Sequence, residues 1–208
     1  QKTAYEIYQC DWSSDVCSSD LYTIYQTNGT LTMVNALLRK NLPYDFERDF
    51  VPVIGVVRTS DVLVVKNSLG VNSVAELVAL ARTKPGALNY GSFGVGSAAH
   101  LDAEKFNVAA NLRTTHVPYK GGSDVAKALL TGEIDFSFNG LSSVLGMIRG
   151  GQVKALAWGA AERSPAIPDV PTLKEAGYDF ETGSWLGFFV HSATPRRSEE
   201  HTSELQSH

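Results

Sequence analysis

Cysteine is almost missing from this 208-residue chain: Cys10 and Cys17 are the only two. Both fall in a stretch that does not read as part of a domain. Asp11-Trp12-Ser13-Ser14-Asp15-Val16-Cys17-Ser18-Ser19-Asp20-Leu21 resembles what the antisense strand of a common sequencing adaptor encodes, and Arg197 to His208 resembles the translation of its sense strand. Gln1 to Ile7 match the adaptor's outer part, and Tyr8 to Cys10 fill the place of its variable index. Residues 1–21 and 197–208 are therefore expected to be adaptor-derived and are set aside from fold reasoning. With them go both cysteines, so disulfide, thiol and zinc–thiolate chemistry have no basis here. The native N-terminus is expected to lie outside the chain, so a missing leader carries no information.

An excess of charge is missing too. The formal charge of −4 becomes +1 over residues 22–196, where sixteen Lys and Arg face fifteen Asp and Glu. That balance gives no electrostatic case for nucleic acid or a membrane surface. No run of about 18 apolar residues occurs, which excludes an apolar spanning helix. Gly-x-Ser-x-Gly elbows, Walker loops and His-Glu-x-x-His are all absent.

What is present is an alternation of strands and helices. Tyr22 to Gln26 reads as a strand ending at a turn over Thr27, Asn28, Gly29 and Thr30, with helical spacing from Leu31 to Arg39. Phe50–Val57 and Val62–Val65 are β-branched runs suited to a sheet covered on both faces. Ser73 caps a helix over 74–82, and a strand follows over 88–92. Then come a glycine turn, a helix opening near Ser97, a strand over 113–117, and a helix over 124–130 that Ser123 is expected to cap. A strand over 134–138, a helix over 141–149 and a strand over 153–158 follow. A proline-punctuated stretch leads to a short helix over 172–176, and the last strand is expected over 183–190. Such spacing predicts βαβ units and mostly parallel sheets in an α/β fold.

The central run is Tyr90-Gly91-Ser92-Phe93-Gly94-Val95-Gly96-Ser97-Ala98-Ala99-His100-Leu101. Gly91, Gly94 and Gly96 permit positive φ, and the turn would aim backbone N–H groups at an anion near a helix N-terminus. The opposing reading is a tight loop whose glycines serve geometry alone. Four loops are expected outside the carboxyl ends of the strands: 27–30, 92–100, 119–123 and 138–142. Their Gly, Ser, Thr and Asn content, with Lys120 as one positive charge, suits a small carboxylate or phosphate. Gly94-x-Gly96-x-x-Ala99 is a permissive dinucleotide fingerprint, but the strand that should end in its acidic partner reads Arg113-Thr114-Thr115-His116-Val117. His100, His116 and Ser97 do not define a triad.

The ordered motifs carry a resemblance. They are Leu42-Pro43-Tyr44-Asp45, Asp49-Phe50-Val51-Pro52-Val53, the central run, His116-Val117-Pro118-Tyr119-Lys120-Gly121, Gly132-Glu133-Ile134-Asp135 and Arg163 to Thr172 with Glu175-Ala176-Gly177. Residues 22–196 resemble the substrate-binding proteins of tripartite tricarboxylate transporters, the Bug family. The resemblance implies a periplasmic-binding-protein-like fold of two lobes that close on a small carboxylate. It further implies a periplasmic location, no cofactor or metal, no catalysis, membrane transporter components as partners, and a monomer. Site positions carried over are Thr27, Asn28 and Thr30 on the first lobe. On the second they are Ser92, Gly94, Gly96, Ser97, His100, Tyr119, Lys120, Gly121 and Asn139. Phe93 stands where the family commonly has a small polar residue. The implied layout is a first-lobe fragment with crossover over 22–58, a nearly complete second lobe over 59–186 and a return crossover over 187–196. The family's Pro-Pro-Gly-Gly-type clamp loop and its C-terminal first-lobe helices have no counterpart in this sequence. The alternative is a small α/β enzyme using the Gly94–Gly96 loop for a phosphate or nucleotide. A ligand-sensing domain of a regulator is a third reading.

Overall fold

The computed structural model describes residues 24–29, 32, 34, 37, 42 and 44–194. Both stretches read as adaptor, most of the helix expected over 31–39, and Thr30 lie outside the described residues. In chain order the strands are β1 (Tyr25–Asn28), β2 (Phe50–Thr59), β3 (Asp61–Lys66), β4 (Asn89–Ser92), β5 (Thr115–Pro118), β6 (Phe136–Gly140), β7 (Val153–Trp158) and β8 (Ser184–His191). The helices are α1 (Phe46–Asp49), α2 (Val74–Thr83), α3 (Ala98–Ala110), α4 (Gly122–Thr131) and α5 (Leu141–Arg149). The described residues divide into two compact units, the larger being Arg58–Ser184.

In the larger unit the strand order is β5-β4-β6-β3-β7. β4 pairs parallel with β5 and β6, whereas β3 runs antiparallel to both β6 and β7. Four strands therefore point one way and β3 points the other. The sheet is mostly parallel as expected, with one exception. A strand buried on both faces has the same apolar run in either direction, so its sense leaves no mark in the sequence.

The helices form for local reasons. Ser73 Oγ accepts the Glu76 N–H at 3.2 Å, and Val74, Leu77, Val78 and Ala81 then recur at helical spacing as the buried face of α2. α4 buries Val125, Ala128 and Leu129 and stops at Gly132, whose φ of 79° is the left-handed stop that glycine adopts without strain. β3 alternates between two cores: Leu63 and Val65 pack with Leu77, Tyr90 and Phe106, and Val62 and Val64 pack with Val125, Leu129 and Val144. The segment 172–176 is a hydrogen-bonded turn and not a helix. Thr172 Oγ1 accepts the Glu175 N–H, and the Glu175 carboxylate accepts the Thr172 N–H, so a capping box closes with no helix beyond it.

At one edge of this unit the two crossing segments are tied. Thr59 Oγ1 donates to the Ser184 carbonyl at 3.1 Å and accepts the Ser184 N–H at 3.3 Å. Thr182 Oγ1 donates to the Asp61 carbonyl, and the Gly183 N–H donates to Asp102 Oδ2 at 2.9 Å. Asp61 and Asp102 are each 5% exposed. Burial pushes their carboxyls up, to about 6 for Asp61 and about 7 for Asp102, and the two side chains hydrogen-bond to each other. A carboxyl–carboxylate bond of this kind holds one proton between two acids.

In the smaller unit β1 pairs antiparallel with β8, with Tyr25 opposite Phe189 and Asn28 opposite Leu186, and β8 also neighbours β2. Phe46 stacks on Phe50 at 5.2 Å and meets Phe189 edge-on at 5.0 Å. These rings border a hollow of about 670 Å³ with Pro52 and Trp185.

Candidate functional site

β4, β5 and β6 end on one edge of the five-stranded sheet, at Ser92, Pro118 and Gly140, and each leads to the N-terminus of α3, α4 or α5. This is the edge where an α/β sheet offers helix N-termini and loops to a ligand.

The β4 end separates the glycines by role. Gly91 does not have positive φ. A Cβ there would stand 2.5 Å from Ile134 Cδ1 and 3.1 Å from Val125 Cγ1, so this glycine admits core side chains and leaves the anion reading to its neighbours. Gly94 has φ 115° and open space around it.

The turn is bonded mostly to itself. Ser92 Oγ accepts the Gly94 N–H at 3.2 Å, donates to the Gly94 carbonyl at 3.0 Å and lies 2.6 Å from His116 Nε2. Ser97 Oγ donates to the Gly94 carbonyl at 2.8 Å and accepts the His100 N–H, capping α3. The Gly96 N–H donates to His100 Nδ1 at 3.2 Å. The N–H groups of Gly94, Gly96, Ser97 and His100 are thus all engaged within the turn. Among the described residues, those of Val95, Ala98 and Ala99 meet no protein acceptor. The free donors at α3 are therefore not the glycines' own but those of Val95, between them, and of Ala98 and Ala99 in the first turn of the helix.

α4 begins differently. Its N-cap is Gly121, extended and with no side-chain cap, and not Ser123 as the sequence predicts. Asp124 and Val125 N–H both bond the Gly121 carbonyl, which leaves the N–H groups of Gly122 and Ser123 without acceptors among the described residues. Tyr119 is held to β4 by its N–H on the Ser92 carbonyl at 2.8 Å; burial, with Glu133 beside the phenol, pushes its hydroxyl up to about 12. Lys120 is exposed.

Asn139 lies inside β6, not in a loop after it, and is fully buried. Its Nδ2 donates to Ser137 Oγ at 2.6 Å, while its Oδ1 has no partner among the described residues. A Cβ on Gly122 would stand 3.8 Å from that oxygen and 3.5 Å from both Ser143 Oγ and the Phe93 ring. Gly122, Asn139, Ser143 and Phe93 therefore border one small space at the start of α4. α5 also opens without a side-chain cap, at Gly140.

The structure thus brings Ser92, Gly94, Gly96, Ser97, His100, Tyr119, Gly121 and Asn139 to one sheet edge, with Lys120 beside them. Thr27 and Asn28 belong to the smaller unit. They lie within β1 and not in a turn after it; Thr27 is buried and sits opposite Gly187. Three side chains at the edge were not singled out as site residues by sequence reasoning: His116, Ser137 and Ser143. Strand register, not any local motif, places His116 beside Tyr90. No group of three or more His, Cys, Asp or Glu able to hold a metal occurs among the described residues, and no described helix is long and apolar enough to cross a membrane.

The mixed α/β fold is of the periplasmic-binding-protein type, as its superposition on the periplasmic binding protein BugD with a TM-score of 0.79 at 26% identity, covering 89% of this chain and 62% of that one, shows. Comparison with known proteins gives the particular family. Residues 14–201 match the tripartite tricarboxylate transporter family receptor, and the chain belongs to that family. The match reaches into both terminal stretches. Protein BugT of Bordetella pertussis is 31% identical over 179 residues, 85% of this chain and 55% of that protein. Among solved structures, R. palustris Rpa4515 with adipate superposes with a TM-score of 0.83 at 31% identity, covering 92% of this chain and 65% of that one. MatC (Rpa3494) from Rhodopseudomonas palustris with bound malate gives a TM-score of 0.78 at 28% identity, covering 91% and 66%. The chain spans about half the length of the curated relatives it matches. Its family is one of receptors, which sets the enzyme reading aside.

Proposed function

We propose that the larger unit is the second lobe of a periplasmic receptor that binds a small mono- or dicarboxylate for a tripartite tricarboxylate-type transporter. The observation that carries this reading is the pair of helix starts at the β4 and β5 ends, with Val95, Ala98 and Ala99 N–H free on one and Gly122 and Ser123 N–H free on the other. Backbone donors at a helix N-terminus stabilise a carboxylate without a buried cation. The relatives solved with adipate and malate support the same class of ligand. Ser92, Gly94, Gly96, Ser97 and His100 shape one side of this site, and Tyr119, Lys120, Gly121 and Asn139 the other. Thr27, Asn28 and Thr30 would contribute from the first lobe.

The test is amide chemical-shift mapping with adipate and malate, which reads even weak binding. Shifts concentrated at Val95, Ala98, Ala99, Gly122 and Ser123 are expected. Shifts at these amides with nucleotides but not with carboxylates would overturn the reading.

A further inference from the structure

Two imidazoles stand behind the Gly94–Ser97 turn. His100 Nδ1 accepts the Gly96 N–H at 3.2 Å. His116 Nε2 lies 2.6 Å from Ser92 Oγ, which in turn meets both the N–H and the carbonyl of Gly94. The rings pack on each other with centroids 4.2 Å apart, and Tyr90 stacks against both, 5.0 Å from His116 and 6.2 Å from His100. Tyr90 itself is fixed by its hydroxyl, which donates to Glu104. Each glycine of the turn is therefore reached by one histidine, directly at Gly96 and through Ser92 at Gly94.

We propose that His100 and His116 are positioning residues that brace the anion-facing turn and make its shape depend on pH. The inference rests on the carboxylate reading of that turn only for its consequence; the brace itself exists without ligand.

We assign the protons by hydrogen-bond bookkeeping. His100 Nδ1 is an acceptor, so its proton resides on Nε2. Ser92 Oγ carries one proton. With His116 donating from Nε2, Ser92 accepts from His116 and from Gly94 N–H and donates to the Gly94 carbonyl, which satisfies every group. A proton arriving at His100 Nδ1 removes the acceptor of Gly96 N–H and sets one N–H against another. The groups facing His116 are His100 and Glu104 on α3 and the Tyr90 ring on β4. Burial and the neighbouring His100 lower its basicity, against the opposing pull of Glu104. A cation on one ring thus disfavours a cation on the other. The sign follows: with the His116 proton affinity lowered on folding, the unfolded chain binds more protons just below pH 6.5. That contribution is complete above 6.5 and is lost as pH falls through the lowered value of His116, while the Gly96 contact itself opens only when a proton occupies His100 Nδ1.

The experiment is a pH titration of the ligand-free chain by nitrogen-15 NMR, reading both imidazoles and the Gly94 and Gly96 amides. The expected result is the Nε2–H tautomer for both rings at pH 7.5, with the Gly96 amide moving upfield in step with His100 protonation. His116→Phe should displace the Gly94 amide and weaken adipate-induced shifts at Ala98 and Ala99 about tenfold, whereas His116→Gln, which keeps a donor near that position, should restore both. A His100 found as the Nδ1–H tautomer, or a Gly96 amide indifferent to its protonation, overturns the brace. Equal Gly94 shifts in Phe and Gln variants overturn the role of His116. Absence of adipate shifts in the unmodified chain, with the tautomers as expected, counts against the ligand reading alone.

Discussion

α3 and α4 start at neighbouring strand ends on the same sheet edge, yet one start carries a side-chain cap and the other does not. At α3 a serine caps the helix, a second serine ties the preceding glycine and an imidazole takes a further N–H. At α4 a bare glycine occupies the cap and two N–H groups are left over. A helix N-terminus can use its orphan donors for stability or offer them to a ligand, and α3 does the first with His100 N–H while leaving others free. Both starts keep donors, Val95, Ala98 and Ala99 at α3 and Gly122 and Ser123 at α4, but only α3 also has a side-chain cap.

The sharpest contrast between the helices lies deeper, at Asp102, because α4 buries no acid. Folding raises the Asp61 and Asp102 carboxyls from 3.8 to about 6 and about 7, so the folded chain holds the extra proton and stability falls as pH rises through that window. Asp102→Asn copies the protonated acid and should be more stable than the parent at pH 8 by an amount on the order of 2 kcal/mol, with the gap closing near pH 4. Urea unfolding at the two pH values measures it; a gap that is equal at both would remove the shared proton.

Cap removal comes next. Ser97→Ala should cost about 1 kcal/mol, since α3 loses its cap and Gly94 loses a donor. Ser123→Ala should stay within about 0.5 kcal/mol, because that hydroxyl caps nothing. Comparable losses in urea unfolding would mean that the two starts are alike.

The smallest effect on stability is expected where the uncapped start of α4 gains a cap. Gly121 is extended at φ −175° and a Cβ there meets nothing, so Gly121→Asp is sterically free. It should gain a few tenths of a kcal/mol as a better cap while placing a carboxylate on the N–H groups a ligand needs. Unchanged stability or better, with adipate shifts at Gly122 and Ser123 abolished, is the expected pair of results. Undiminished shifts would move the anion elsewhere.

Much of this was legible in the chain. Ser73 and Ser97 announce their helices because a side-chain cap is a local interaction, and Gly132 ends α4 for an equally local reason. What stayed hidden depends on distant partners. The direction of β3 is set by β6 and β7, which its apolar run does not specify. Gly91 looks like its neighbours until Ile134 and Val125 arrive beside it. Ser123 has the chemistry of a cap but sits two residues too late, because the extended Gly121 already turns the chain. Asn139 was expected in a loop, since nothing in Phe136–Gly140 shows where the ladder with β3 stops. His116 gained a role only through its register opposite Tyr90.

Thr59 has a mechanical meaning as well. One hydroxyl both gives and takes a hydrogen bond with Ser184, so the chain arriving from β2 and the chain leaving along β8 are joined at the border of the larger unit. A single hydroxyl, by giving one hydrogen bond and taking another, satisfies both backbone groups of one serine and so fixes the spacing of the two stretches at that border.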